Sequence, residues 1–179
     1  IESTCSAQYF SVPGLVWVDT PGYGAVEKKG IDIRPLAEIA RQYVNYADLV
    51  VFLDNSAAVW QREVEEAFKA VYTSGKKVLS AILRSDEPGE EDVIDGRIVT
   101  PLVAKNGKDR REQEEYVRAG MRACGAVEAD CEVISVSVKL AEDAIRLGDA
   151  AKWEASGMGL FYRKIAEALG NGQVRELKK

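Results

Sequence analysis

The sequence predicts a three-layer α/β protein: a mostly parallel sheet with helices on both faces and one antiparallel edge hairpin. Three observations predict it. Apolar runs of strand length at 15–18 and 49–53 are continuous rather than alternating, which suits strands covered on both faces, and 77–83 is a further largely apolar run. Those runs alternate with amphipathic stretches of helical period, the pattern of strand-helix-strand units in a parallel sheet. Near the start, Pro13-Gly14 joins two extended segments, and that dipeptide presets a tight reversal.

In order, Ala7 to Val12 and Leu15 to Val18 form the predicted hairpin, which ends at Asp19-Thr20-Pro21-Gly22. A glycine- and lysine-bearing loop covers Tyr23 to Gly30. A helix follows from about Pro35 to Asn45, with Leu36, Ile39, Ala40 and Tyr43 on one face. Ala47 to Asp54 reads as a buried strand and Val59 to Ser74 as a helix, stopped by Gly75. Lys77 to Leu83 is the next strand. From Glu87 to Asp109 the pattern weakens into an acidic loop and a short amphipathic piece at 98–103, left without assignment. A charged helix is expected from Arg110 to Cys124, a last strand from Cys131 to Val136, and two helices around Leu140 to Lys152 and Gly159 to Leu169. Residues 1–170 thus read as one domain, incomplete at its N-terminal side, and 171–179 as a polar tail.

Composition narrows the function. Apolar residues make up 46% and charged residues 30% of the 179, which places the chain with globular proteins rather than disordered ones. The net charge of −5 argues against holding nucleic acid by phosphate neutralisation alone, so no nucleic-acid partner is expected. Histidine is absent, which removes imidazole bases and histidine metal ligands from any mechanism this chain could run. Cys5, Cys124 and Cys131 form no C-x-x-C pair and read as reduced thiols. No stretch reaches the roughly 18 apolar residues of a membrane span, and the expected setting is the cytoplasm.

Ligands of a parallel sheet bind beyond the carboxyl ends of its strands, so residues just after strands carry the most information. After the hairpin, Asp19 can hold a magnesium ion through water, and Gly22 can offer an unobstructed N–H to a terminal phosphate. By itself this D-x-x-G is equally an ordinary turn. After 77–83 comes Leu83-Arg84-Ser85-Asp86, where a carboxylate could accept from guanine N1–H and its exocyclic amine while the stem of Arg84 lies over the base. Alone, that reads as a solvated charged turn. After the last strand, Ser137-Val138-Lys139 could complete a base pocket with backbone amides and a lysine stem.

In this order and at these strand ends, the three motifs resemble the signature of the GTPase superfamily: the D-x-x-G switch, the guanine-specificity [NT]-K-x-D and the S-A-K-type loop. The Asp-Thr-Pro-Gly form, Tyr23 where some relatives carry a catalytic glutamine, and the 153–159 stretch look like dynamin-like and Era-like proteins. The resemblance implies a P-loop NTPase-like G domain with GTP or GDP and Mg2+ as cofactors, GTP hydrolysis, and a homodimer through the nucleotide face. It places Thr4 in the first switch, as a magnesium ligand and sensor of the terminal phosphate, and Gly22 beside it in catalysis. Asp19 falls to the metal, and Arg84, Asp86, Ser137 and Lys139 to the base. A binding module without turnover is the alternative, and membrane contact of the full-length protein stays open.

Two departures stand out. Leu83 and Arg84 replace the usual asparagine or threonine and the lysine of the specificity motif. No G-x-x-x-x-G-K-[ST] occurs anywhere, and the strand that precedes that loop in the family would lie between those at 15–18 and 49–53. A segment before Ile1, or a second chain, is therefore expected to supply the central strand and the phosphate loop, because two neighbouring edges would otherwise stand unpaired.

Overall fold

A computed structural model of the chain describes residues 7–12, 15–20 and 34–170. The Pro13-Gly14 turn, the loop from Tyr23 to Gly30, the tail, and Thr4 and Gly22 lie outside the described residues.

The central sheet holds β3 (Leu49–Asn55), β4 (Lys77–Leu83) and β9 (Val133–Ser135), all parallel in the order β3-β4-β9. Strand alternation explains its two-sided core. Phe52, Val78, Ile82 and Val133 point to one face, where they meet Trp60, Phe68, Val117 and Met121. Those last residues come from the loop after β3, from α2 (Arg62–Thr73) and from α3 (Gly107–Ala123). Leu79, Ala81, Ile134 and Val136 point to the other face, against Phe161 and Ile165 of α6 (Met158–Leu169). Both faces of β4 are buried over Leu79–Ile82, the polar Ser80 included, as its largely apolar composition predicts.

The hairpin of β1 (Gln8–Val12) and β2 (Leu15–Asp19) is antiparallel, with Gln8 opposite Asp19 and Val12 opposite Leu15. It forms a separate two-stranded sheet, and among the described residues no ladder joins β2 to β3. Trp17 reaches the α6-side core, and the Tyr9 hydroxyl bonds that of Tyr43 on α1 (Arg34–Tyr46). Lys76 Nζ donates to the carbonyls of Asn45 (2.7 Å) and Ala47 (3.2 Å) at the end of α1, and Lys77 Nζ to that of Ala168 in α6 (2.5 Å). Successive lysines thus satisfy orphan carbonyls at the ends of two helices, α1 and α6.

Two parts depart from the sequence reading. The unassigned acidic stretch is a two-stage ribbon: β5 (Asp86–Pro88) pairs with β8 (Leu102–Ala104), and β6 (Asp92–Ile94) with β7 (Arg97–Val99). Asp95-Gly96 turns the tip with φ of 51° and 73°. Positive φ at both central residues is what the right-handed twist of a tight hairpin demands, and Asp-Gly is a strong sequence signal for it. Second, the helix expected over Leu140 to Lys152 is broken into α4 (Val138–Leu147) and α5 (Ala150–Ala155). Gly148 ends α4 in the left-handed conformation, and Asp149 caps α5 by accepting from the Lys152 N–H at 2.9 Å.

Candidate functional site

The carboxyl ends of β3, β4 and β9 meet in a network of loop hydrogen bonds. At the end of β4, Arg84 has φ of 56°, an uncommon conformation for a residue with a Cβ. The loop after β3 holds it there. Ser56 donates its N–H to the Leu83 carbonyl (3.0 Å) and its hydroxyl to the Arg84 carbonyl (2.7 Å).

Ser85 is fully buried. Its hydroxyl donates to the Ile82 carbonyl (2.8 Å) and its N–H to the Val136 carbonyl (3.1 Å), extending the β4–β9 pairing past the strands. Asp86 then opens β5, and its carboxylate accepts from the Ser137 hydroxyl. Ser137 is itself buried and caps α4, since its Oγ accepts from the Leu140 N–H at 3.2 Å. One serine therefore starts a helix and orients a carboxylate on the next strand. Lys139 follows in the first turn of α4 and is exposed, as is Arg84.

Ser156 supports the same group from behind. Its carbonyl accepts from the Ser137 N–H at 2.8 Å, and its hydroxyl donates to the Trp153 carbonyl at 2.6 Å. Gly157 follows with φ of 77°, and a Cβ there would fall against the Ser135 carbonyl, so α6 can begin this close to β9 only with glycine at that position. Arg110, in the first turn of α3, donates to the carbonyls of Ser85 (2.7 Å) and Ala155 (2.9 Å). Burial lowers its pKa from the usual guanidinium value, while Glu114 and Asp86 act the other way.

The structure thus brings Arg84, Asp86, Ser137 and Lys139 onto two adjoining loops at one rim. It does not join Asp19 to them: that residue ends β2, exposed, and no hydrogen bond or ion pair links it to the group among the described residues. Among the described residues no group of three or more acidic, cysteine or histidine side chains could hold a metal.

Sequence reasoning missed Ser56, Arg110 and Ser156. Ser156 lies in the 153–159 stretch that carries the family resemblance, but nothing in the sequence assigns that serine a role. Arg110 sits four residues after Asn106, whose side chain accepts from the N–H groups of Lys108 (3.0 Å) and Asp109 (2.9 Å). That cap was legible as Asn-Gly before a charged helix, and it places Arg110 in the first turn.

A buried carboxylate lies beside the group. Asp54, near the end of β3, is 3% exposed on the same face as Phe52. The Trp60 backbone N–H bonds to it, yet its Oδ2 has no partner among the described residues, and burial pushes its pKa above the usual carboxylate value.

No protein-family model matches the chain. It is 30% identical over 159 residues to an uncharacterised protein of Acinetobacter baylyi, a match that covers 85% of this chain. Among solved structures it is similar to Era in complex with MgGDPNP and nucleotides 1506–1542 of 16S ribosomal RNA, with a TM-score of 0.57 and 17% identity over 93% of this chain. The chain spans 29% of the Acinetobacter protein and 45% of the Era chain. Its fold is that of a GTPase-like α/β domain.

Proposed function

We propose that this chain forms the base-binding part of a guanine-nucleotide-binding domain, and that the full-length protein is a dynamin-like or Era-like GTPase hydrolysing GTP with Mg2+. The observation that carries this reading is the hydrogen bond from Ser137 to Asp86. It fixes a carboxylate between two loops at the carboxyl rim of a parallel sheet, where such folds take their ligands.

With one oxygen engaged by Ser137, the Asp86 carboxylate keeps acceptor capacity for a base edge. Guanine presents N1–H and a 2-amino group, two donors side by side, whereas adenine presents an acceptor at N1. Hydrogen bonds to a charged group contribute about 1.5–3 kcal/mol each, so the pair discriminates strongly. In this reading the exposed stems of Arg84 and Lys139 flank the base. Asp19 and Thr4 face the metal, and Gly22 the terminal phosphate. No side chain among them is an obvious general base, so catalysis would rest on electrostatic stabilisation of the phosphoryl group and on a group supplied by a dimer partner.

Phosphate binding requires a segment that these residues lack, and the sheet supports a place for it. Among the described residues, the outer edge of β3 carries no ladder partner. Leu53, an apolar residue of β3, is 58% exposed on the face covered elsewhere by α6. An added strand beside β3, followed by a helix over Leu53, would satisfy both. Era is bound to ribosomal RNA as well as to nucleotide, so for this chain the expectation that nucleic acid is no partner rests on net charge alone.

A module that binds without turnover is favoured over hydrolysis only by Leu83 and by the left-handed Arg84 in place of the usual specificity residues. Titrating the full-length protein with fluorescent GTP and ATP, with and without magnesium, and then following phosphate release separates the readings. Tight, GTP-selective binding with release supports the enzyme. Binding without release supports the module, and no binding overturns both.

A further inference from the structure

We propose that Arg110 is a positioning residue that clamps the Ser85–Asp86 loop to the Ala155–Ser156 segment supporting Ser137, so that selectivity for guanine depends on it more than overall nucleotide affinity does. The inference rests on the reading of Asp86 as the acceptor for the base.

A closed circuit of hydrogen bonds ties Arg110 to both loops. Its Nη2 donates to the carbonyl of Ser85, the residue before Asp86. The Asp86 carboxylate accepts from the Ser137 hydroxyl, and the Ser137 N–H donates to the Ser156 carbonyl. Arg110 Nη1 closes the circuit on the carbonyl of Ala155, the residue before Ser156. The other links run directly between the segments that carry Asp86, Ser137 and Ser156. Arg110 alone comes from α3, and it touches two of those segments at once.

Only a guanidinium fits that role. Its planar fork carries donors in fixed directions, and the side chain is half-buried against the loops it joins. A lysine in its place could satisfy one carbonyl and leave the other. Without the clamp, Ser85 keeps its bond from the Lys105 N–H (3.1 Å) and Asp86 its bond from Ser137, so the loops persist. Ser85 also keeps its N–H bond to the Val136 carbonyl, so what is lost is the tie between the Ser85–Asp86 segment and the Ala155–Ser156 segment behind it, and with it the angle at which Asp86 meets a base. Asp19, which this reading gives to the metal, is not part of this circuit. The 2-amino group of guanine, bonded to the carboxylate alone, is therefore the contact most exposed to the loss.

The test compares dissociation constants for GTP and for ITP, whose base differs only in lacking that amino group, in full-length wild type, Arg110→Met and Arg110→Lys. Wild type should prefer GTP by about tenfold or more, the worth of one charge-assisted hydrogen bond. In Arg110→Met the preference should fall towards unity while ITP affinity stays within about threefold of wild type, and Arg110→Lys should lie between. A full GTP preference in the variants, or equal weakening of GTP and ITP, overturns the role of Arg110 and leaves the base reading intact. A wild type without any GTP preference overturns the base reading and this inference together. If Arg110→Met does not fold, the ratio in Arg110→Lys decides, and an unchanged ratio there counts against the proposal.

Discussion

Single side chains at the strand ends set both the chemistry and some of the tension in this domain. Asp54 is a carboxylate held in a site that favours its neutral form, so its folded pKa is raised. A raised acid binds more protons folded than unfolded. Its penalty is therefore absent below the unfolded value of 3.8 and grows as pH rises through the folded value. Asp54→Asn keeps an oxygen for the Trp60 backbone N–H and removes the charge. Thermal unfolding should show the variant more stable than wild type at pH 7, by about 1–3 kcal/mol, with the gain vanishing at low pH. A loss of stability at pH 7 would mean that the carboxylate has a partner the described residues do not include. Trp60 makes a second demand. Its indole lies over Gly120 so closely that a Cβ there would overlap the ring. Gly120→Ala should destabilise by about 1–3 kcal/mol despite alanine's better helix propensity, read as a lower denaturation midpoint. That Asp86, Ser137 and Lys139 lie at one rim was legible because they follow strands of one parallel sheet. Arg110 and Ser156 were not, because their contacts run through backbone groups, which no sequence pattern records.

At the scale of elements, the parallel strands were readable because burial on both faces leaves a largely apolar run, as in β4, where only Lys77 and Ser80 are polar. The ribbon between β5 and β8 was not. Its strands are three residues long and its outer part is largely exposed, with Val93 and Ile98 67% and 70% exposed, so no apolar periodicity marks it. Only the Asp95-Gly96 tip gives it away. An element that buries so little should matter little to folding. Replacing 90–100 with a short turn, while keeping the β5–β8 pairing and the Gly89 N–H bond to the Pro101 carbonyl, should shift stability by less than about 1 kcal/mol. Equilibrium denaturation of the shortened chain checks this, and a large loss would show that the ribbon packs onto the domain. The division of α4 from α5 follows similar logic. Apolar spacing continues across 140–152, but Gly148 and the Asp149 cap interrupt the backbone.

On the scale of the whole molecule, β4 is paired on both sides, while among the described residues β3 keeps an open outer edge. The two carboxyl-rim loops are joined to each other, and among the described residues no strand ladder joins the hairpin bearing Asp19 to the sheet that bears them. Fold class was legible from alternation alone. The separation of hairpin and sheet was foreseen only through the missing phosphate-loop motif. Most of the functional reading depends on Asp86 recognising a guanine base, and exchanging the chemistry of that side chain tests it most directly. Xanthine carries a carbonyl where guanine has its 2-amino group, so an amide at position 86 should favour it. In the full-length protein, Asp86→Asn should weaken GTP binding by roughly a hundredfold or more and bind XTP more tightly than GTP. Unchanged GTP affinity in Asp86→Asn, with no gain for XTP, would contradict that role for Asp86.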